Sequence, residues 1–184
     1  MGILLGLLPF VAFAAMTRFS SPAVCLWIAA GVAALLISRE LLRHRTPKVL
    51  ECGTFVLFAG LAGYTGIAHA AWDISGVRSI VDGGLFLIIT LSLVIGRPFT
   101  LQYARESVPP AVAQSATFVR TNYIITGVWA VALAIIVLAD LTLHYLPNSP
   151  VWLGSAAIVV AFAGAFAFTT IYPRYLRART GATE

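Results

Sequence analysis

Residues 79–106, SIVDGGLFLIITLSLVIGRPFTLQYARE, decide how the rest of the chain is read. From Ile80 to Ile95 the run is apolar except at Asp82, Gly83-Gly84, Thr90 and Ser92, and it stops at Gly96-Arg97-Pro98. Beyond the stop, Phe99 and Tyr103 are four apart and share a helical face, while Gln102, Arg105 and Glu106 form a polar one. The pattern predicts a membrane-spanning helix over about 79–96 that passes into a short amphipathic helix, about 98–107, lying along the membrane surface. Pro98 suits the first turn of that helix, and Pro109-Pro110 ends it. Ala111 to Val119 then reads as a second surface segment leading into the next span. The plainer alternative is an ordinary loop with one helical turn.

The surrounding composition agrees with a lipid environment. Apolar residues make up 60% of the 184 positions and charged residues only 10%, too few charges to cover a water-exposed surface. One membrane domain, 1–184, fits the length. The net charge of +5 comes from basic residues lying between hydrophobic runs, so it speaks for orientation in a bilayer and not for nucleic acid. Cys25 and Cys52 form no CxxC pair and fall near opposite ends of neighbouring spans, which predicts no disulfide between them.

A span needs about 20 apolar residues. Six runs qualify, at about 2–17, 22–38, 49–71, 79–96, 121–141 and 151–172, giving an all-α polytopic protein. The first is short, reaching roughly 24 Å at 1.5 Å per residue, and needs local thinning of the bilayer or help at the interface. Ala12-Phe13-Ala14 also resembles a signal-peptide cleavage site, but no basic region precedes the apolar run, so retention is expected. Of the twelve basic residues, all but Arg18 and Arg78 fall in the second and fourth connections or the tail. Positive charge stays on the cytoplasmic side, which predicts both termini there, in a bacterial inner membrane. The acids divide too: Glu40, Glu51, Glu106 and Glu184 inside, Asp73, Asp82 and Asp140 at outer ends.

Three features resemble the intracellular septation protein A-like family of small bacterial inner-membrane proteins, over about residues 1–145. A short first span carries Pro9, Phe10 and Phe13; the fourth follows Arg78, contains Gly84-Leu85-Phe86 and ends on Gly96-Arg97-Pro98; the fifth has Asn122 and Trp129. Arg78-Ser79 replaces the family's basic-proline pair, and the sixth span is additional to its usual count. The resemblance implies a part in envelope growth or division without an established catalytic activity.

The most specific polar grouping is a pair of His/Asp couples, His69 with Asp73 and Asp140 with His144, each four apart near an outer helix end. Asp82 opens the fourth span at similar depth, just after Arg78. If spans three to five pack together, His69, Asp73, Asp82, Asp140 and His144 converge as ligands for a divalent metal or as a proton relay. His69 and His144 would be the pair for a haem b. The competing reading leaves these groups wet in the headgroup region, with Asp82 favouring a helix N-terminus. Arg97, Arg105 and Arg120 are candidates for lipid headgroup phosphate, against plain positive-inside anchoring.

Gly60, Gly63 and Gly66, and Ala161, Gly164, Ala165 and Ala167, predict close helix contacts inside the bundle or in a homo-oligomer. Trp72 and Trp152 suit an outer aromatic belt. No GxSxG, HExxH, phosphate-binding loop or dinucleotide fingerprint is present. The expectation is a non-enzymatic inner-membrane protein without a cofactor, acting in envelope organisation through lipid or through envelope membrane proteins. The alternatives are a small proton or cation channel or transporter with the His/Asp cluster at its outer mouth, and a membrane enzyme or haem protein.

Overall fold

The computed structural model describes residues 2–68, 73–146 and 149–179, and among these only helices occur. In chain order they are α1 (Gly2–Gly6), α2 (Leu8–Met16), α3 (Pro22–Leu42), α4 (Val49–Ala68), α5 (Ile74–Val94), α6 (Phe99–Arg105), α7 (Pro110–Ala113), α8 (Ala116–Tyr145) and α9 (Val151–Arg179). Five of them, α3, α4, α5, α8 and α9, are long and apolar enough to cross a membrane. The chain is a helical membrane protein.

The expected first span is two pieces broken at Leu7. Pro9, near the start of α2, has no N–H to continue the ladder and its ring crowds the preceding turn. Gly6 sits where a Cβ would run into the Tyr103 hydroxyl, so the break lets α1 lie against α6.

Local chemistry sets the other ends. Pro22 starts α3. Asp73 caps α5 by accepting from the Gly76 N–H at 3.2 Å, so α5 begins about five residues before the expected 79. Asp82 is therefore an interior residue of α5, not its opening; this corrects the sequence expectation. At the other end Gly96, at φ +72°, closes a Schellman turn, with Arg97 N–H on Ser92 C=O and Gly96 N–H on Leu93 C=O. The same turn ends α3 with a non-glycine: His44 sits at φ 54°, and Arg45 N–H reaches Glu40 C=O at 2.9 Å. Ser115 caps α8 through the Phe118 N–H, so the expected surface segment is divided between α7 and the first turn of α8. At about 1.5 Å per residue α8 and α9 are longer than a hydrocarbon core of about 30 Å is thick.

The helices pack in a row that follows the chain: α2 on α3, α3 on α4, α4 on α5, α5 on α8 and α8 on α9, with α6 tucked under α8 and beside α1. One core cluster gathers Phe13, Cys25, Leu26, Phe58 and Val81 among α2 to α5. The other centres on Trp129, with Leu85, Ile89, Phe99, Ile125 and Leu133. Trp129 donates to Thr169 at 2.9 Å and meets Phe162 edge-on, which holds the otherwise exposed α9.

Close helix approach uses other glycines than expected. A Cβ at Gly53 would strike Ile88 and one at Gly84 would strike Leu57, which is how α4 and α5 come together. Gly60, Gly63 and Gly66 have open space where a Cβ would stand, so they do not serve this packing. Cys25 and Cys52 are both free. The apolar side chains of α6 are filled by protein: Phe99, Leu101 and Tyr103 are all buried.

Candidate functional site

Two charged clusters lie at opposite ends of the bundle, and each is organised around one cation. At the end where α3 stops and α4 starts, the Lys48 ammonium lies 2.9 Å from Glu106, 3.1 Å from Glu40 and 3.6 Å from Glu51. Lys48, Glu40 and Glu51 are buried; Glu106 is about one-third exposed and also meets Arg45 at 3.5 Å. Tyr103 donates to Glu51 from 3.4 Å, and its ring lies under the ammonium at 5.0 Å. Glu51 also accepts from the Lys48 backbone N–H, three residues back, as a capping glutamate does. Gln102 ties α6 in by accepting from Val49 N–H and donating to Arg97 C=O, both at 2.9 Å.

The electrostatics follow. Burial works against the charge on Lys48, but the hydrogen bonds it donates to Glu106 and Glu40 and the fields of Glu51 and Glu106 outweigh it and hold the ammonium above its ordinary value. Burial, followed by the Glu51 charge, pushes the Tyr103 phenol upward. The cluster therefore holds a charged ammonium and a neutral phenol beside the buried Glu40 and Glu51. None of Glu40, Lys48 and Glu51 was singled out from the sequence. The available signal was a glutamate three residues after Lys48 at a helix start and another in the last turn of the preceding helix.

At the opposite end Arg78 bridges two helices. Its Nε lies 3.7 Å from Asp82, one turn on in α5, and 3.5 Å from Asp140 of α8. Asp140 is buried, and its Oδ2 has no hydrogen-bond partner among the described residues. Asp82, Arg78 and Arg18 line a cavity of about 430 Å³ that runs inward past Phe13, Leu85 and Leu133 between α2, α5, α8 and α9. Beside it, Ser75 joins Asp73 to His144, with the Ser75 hydroxyl 3.1 Å from His144 Nδ1. A hydroxyl has one proton. If Asp73 takes it, the imidazole must donate. The serine, not the imidazole, is the middle member, an order different from that of a serine–histidine–aspartate triad. The hydrogen bonds from Ser75 and then Gly76 hold the Asp73 carboxyl below its ordinary range.

The expected His/Asp convergence is thus resolved into two parts. Asp82 and Asp140 meet on Arg78, while Asp73 and His144 meet through Ser75. Asp140 and His144, four apart on α8, address different partners. His69 and Trp72 lie outside the described residues. Among the described residues no three His, Cys, Asp or Glu side chains gather as a metal-binding group. Arg97, Arg105 and Arg120 are exposed and form no ion pair with a described carboxylate. Arg105 and Arg120 each adjoin in sequence a residue that lines one cavity, Ala104 and Thr121; Arg97 does not.

Comparison with family models, curated proteins and solved structures finds no match.

Proposed function

We propose that this chain is a multi-pass protein of the bacterial inner membrane that works by contact and not by turnover, in the organisation or septation of the cell envelope. Support comes from the charge clusters. The buried acids at the Lys48 end are held to a cation within the fold, and the Ser75 hydroxyl that meets His144 is also tied to Asp73. The septation protein A-like features of residues 1–145 supply the envelope role. In this reading α1 and α2 make a sixth, discontinuous pass, α6 lies at the cytoplasmic interface, and both termini are cytoplasmic. The helix ends carrying Arg39, Arg43, Arg97, Arg105, Arg120 and Arg174 favour that orientation. A deletion strain should show defects in septation or envelope integrity, and tags at either terminus should be inaccessible from the periplasm. Normal division and barrier function in the deletion strain count against the envelope role, and a periplasm-accessible tag counts against the orientation.

One observation favours a second reading, a proton or cation pathway. Asp82 and Asp140 share one guanidinium beside an inward-running cavity, and Asp140 Oδ2 is buried without a partner among the described residues. Flux into liposomes containing the purified protein, abolished in Asp140→Asn, is the expected result. Flux no greater than in empty liposomes removes this reading.

A further inference from the structure

The α6–α7 segment roofs a second cavity, of about 420 Å³, at the Lys48 end of the bundle. Its walls come from α6, α7, α8 and α9, and Val112, Phe118, Ile125 and Leu176 give it an apolar lining. Four hydroxyls on these walls are already engaged: Thr100 with Asn122 C=O and Thr126, Ser115 with Val112 C=O, Thr121 with Thr117 C=O, Thr169 with Ala165 C=O. The space therefore offers hydrocarbon contact, in a volume within the range of small-ligand sites. Pro173 adds one polar feature. It has no N–H for the Thr169 carbonyl, leaving an acceptor without its usual helical donor.

Charge identifies the occupant. Arg105, Arg120 and Arg174 are exposed, and each is next in the chain to a lining residue: Ala104, Thr121 and Pro173. None forms an ion pair with a described carboxylate, and the nearby Glu106 is taken by Lys48 and Arg45. Three exposed arginines that each adjoin a lining residue, none ion-paired to a described carboxylate, complement an anionic headgroup attached to a hydrocarbon chain. We infer that this cavity holds one acyl chain of an anionic phospholipid, with its phosphate on Arg105, Arg120 and Arg174. The inference rests on the membrane reading above and narrows its lipid contact to a defined site.

The test uses the full chain in an uncharged detergent. Native mass spectrometry follows added phosphatidylglycerol, phosphatidylcholine of the same chain length, or inorganic phosphate. One phosphatidylglycerol per chain should bind, with phosphatidylcholine at least about tenfold weaker. Replacing the three arginines by glutamine should weaken phosphatidylglycerol on the order of 100-fold, at roughly fivefold for each charge. Val112→Trp, at an exposed lining position, should block the cavity without changing thermal melting; Ser107→Trp serves the same purpose if that variant does not fold. Equal binding of the two lipids, or unchanged binding in the cavity-filled variant, overturns the inference. So does displacement of phosphatidylglycerol by equimolar inorganic phosphate, which would assign the arginines to free phosphate. Failure of the membrane reading looks different: the preparation would stay monodisperse without detergent, before any lipid is added.

Discussion

Lys48 is buried among three glutamates, whereas Arg78 is half exposed between two aspartates. The first cation joins α3, α4 and the segment after α6, and a phenol and a glutamine close the gaps around it. The second joins α5 to α8 and leaves one carboxylate oxygen without a partner among the described residues. Desolvation makes a buried charge costly unless every partner is in place, so a dry cluster has one stable arrangement. A half-solvated cluster tolerates several, because water replaces whichever partner leaves. The Lys48 end should therefore be the rigid one and the Arg78 end the adjustable one.

The largest effect should come from breaking the dry cluster. Lys48→Met leaves Glu40 and Glu51 buried without their cation and should lower stability by about 3–5 kcal/mol. Thermal unfolding in detergent measures it, and Glu40→Gln with Glu51→Gln in the same chain should recover part of the loss. A change under about 1 kcal/mol would mean that water reaches the cluster, and the contrast between the two ends would be lost.

Arg78→Gln should cost less, about 1–2 kcal/mol, because the guanidinium is half screened by solvent. Asp140→Asn in the Arg78→Gln background should restore melting. An Arg78→Gln loss equal to that of Lys48→Met would erase the proposed difference.

The pH dependence separates the ends by sign. The folded-state pKa of Lys48 lies above its ordinary 10.5, so its contribution is complete below the unfolded value and fades as pH rises through the folded one. Melting of the parent should therefore fall at strongly alkaline pH, and Lys48→Met should remove that component. Asp73 behaves oppositely. Its folded pKa lies below the ordinary 3.8, so its cap contributes above that value and is lost as pH falls through the folded one. Asp73→Ala should give the smallest change. It should appear as faster amide exchange at Gly76 and the first turn of α5, with little change in global melting; unchanged exchange would remove Asp73 as the cap.

Much of this was legible in the sequence for a physical reason. Apolar runs near 20 residues have one good use, so the residues of α3, α4, α5, α8 and α9 announced themselves. Pro22 marked a helix start and Gly96 a helix stop for the same kind of reason. The start of α5 was less visible, because Asp73 and Asp82 are equally good caps and only the folded backbone shows that Asp73 is the one that accepts from the N–H three residues on. The glycines misled because a small residue permits close approach without compelling it; Gly53 and Gly84 face a neighbour, while Gly60, Gly63 and Gly66 do not. The Lys48 cluster was least visible. Its members lie in different segments, and a charge pattern along a chain reports the side of a membrane more readily than it reports a partner.

The spacing of that cluster bears on how the chain is made. Tyr103 reaches back across 52 positions to Glu51, and Glu106 comes later still. During synthesis Glu40, Lys48 and Glu51 must wait in contact with water until the helix ending at Val94 and the stretch beyond it have emerged. Only then can the lysine exchange water for its final neighbour. A copy in which that later segment goes astray keeps the lysine between Glu40 and Glu51 but lacks Tyr103 and Glu106, and the cluster stays open on one side.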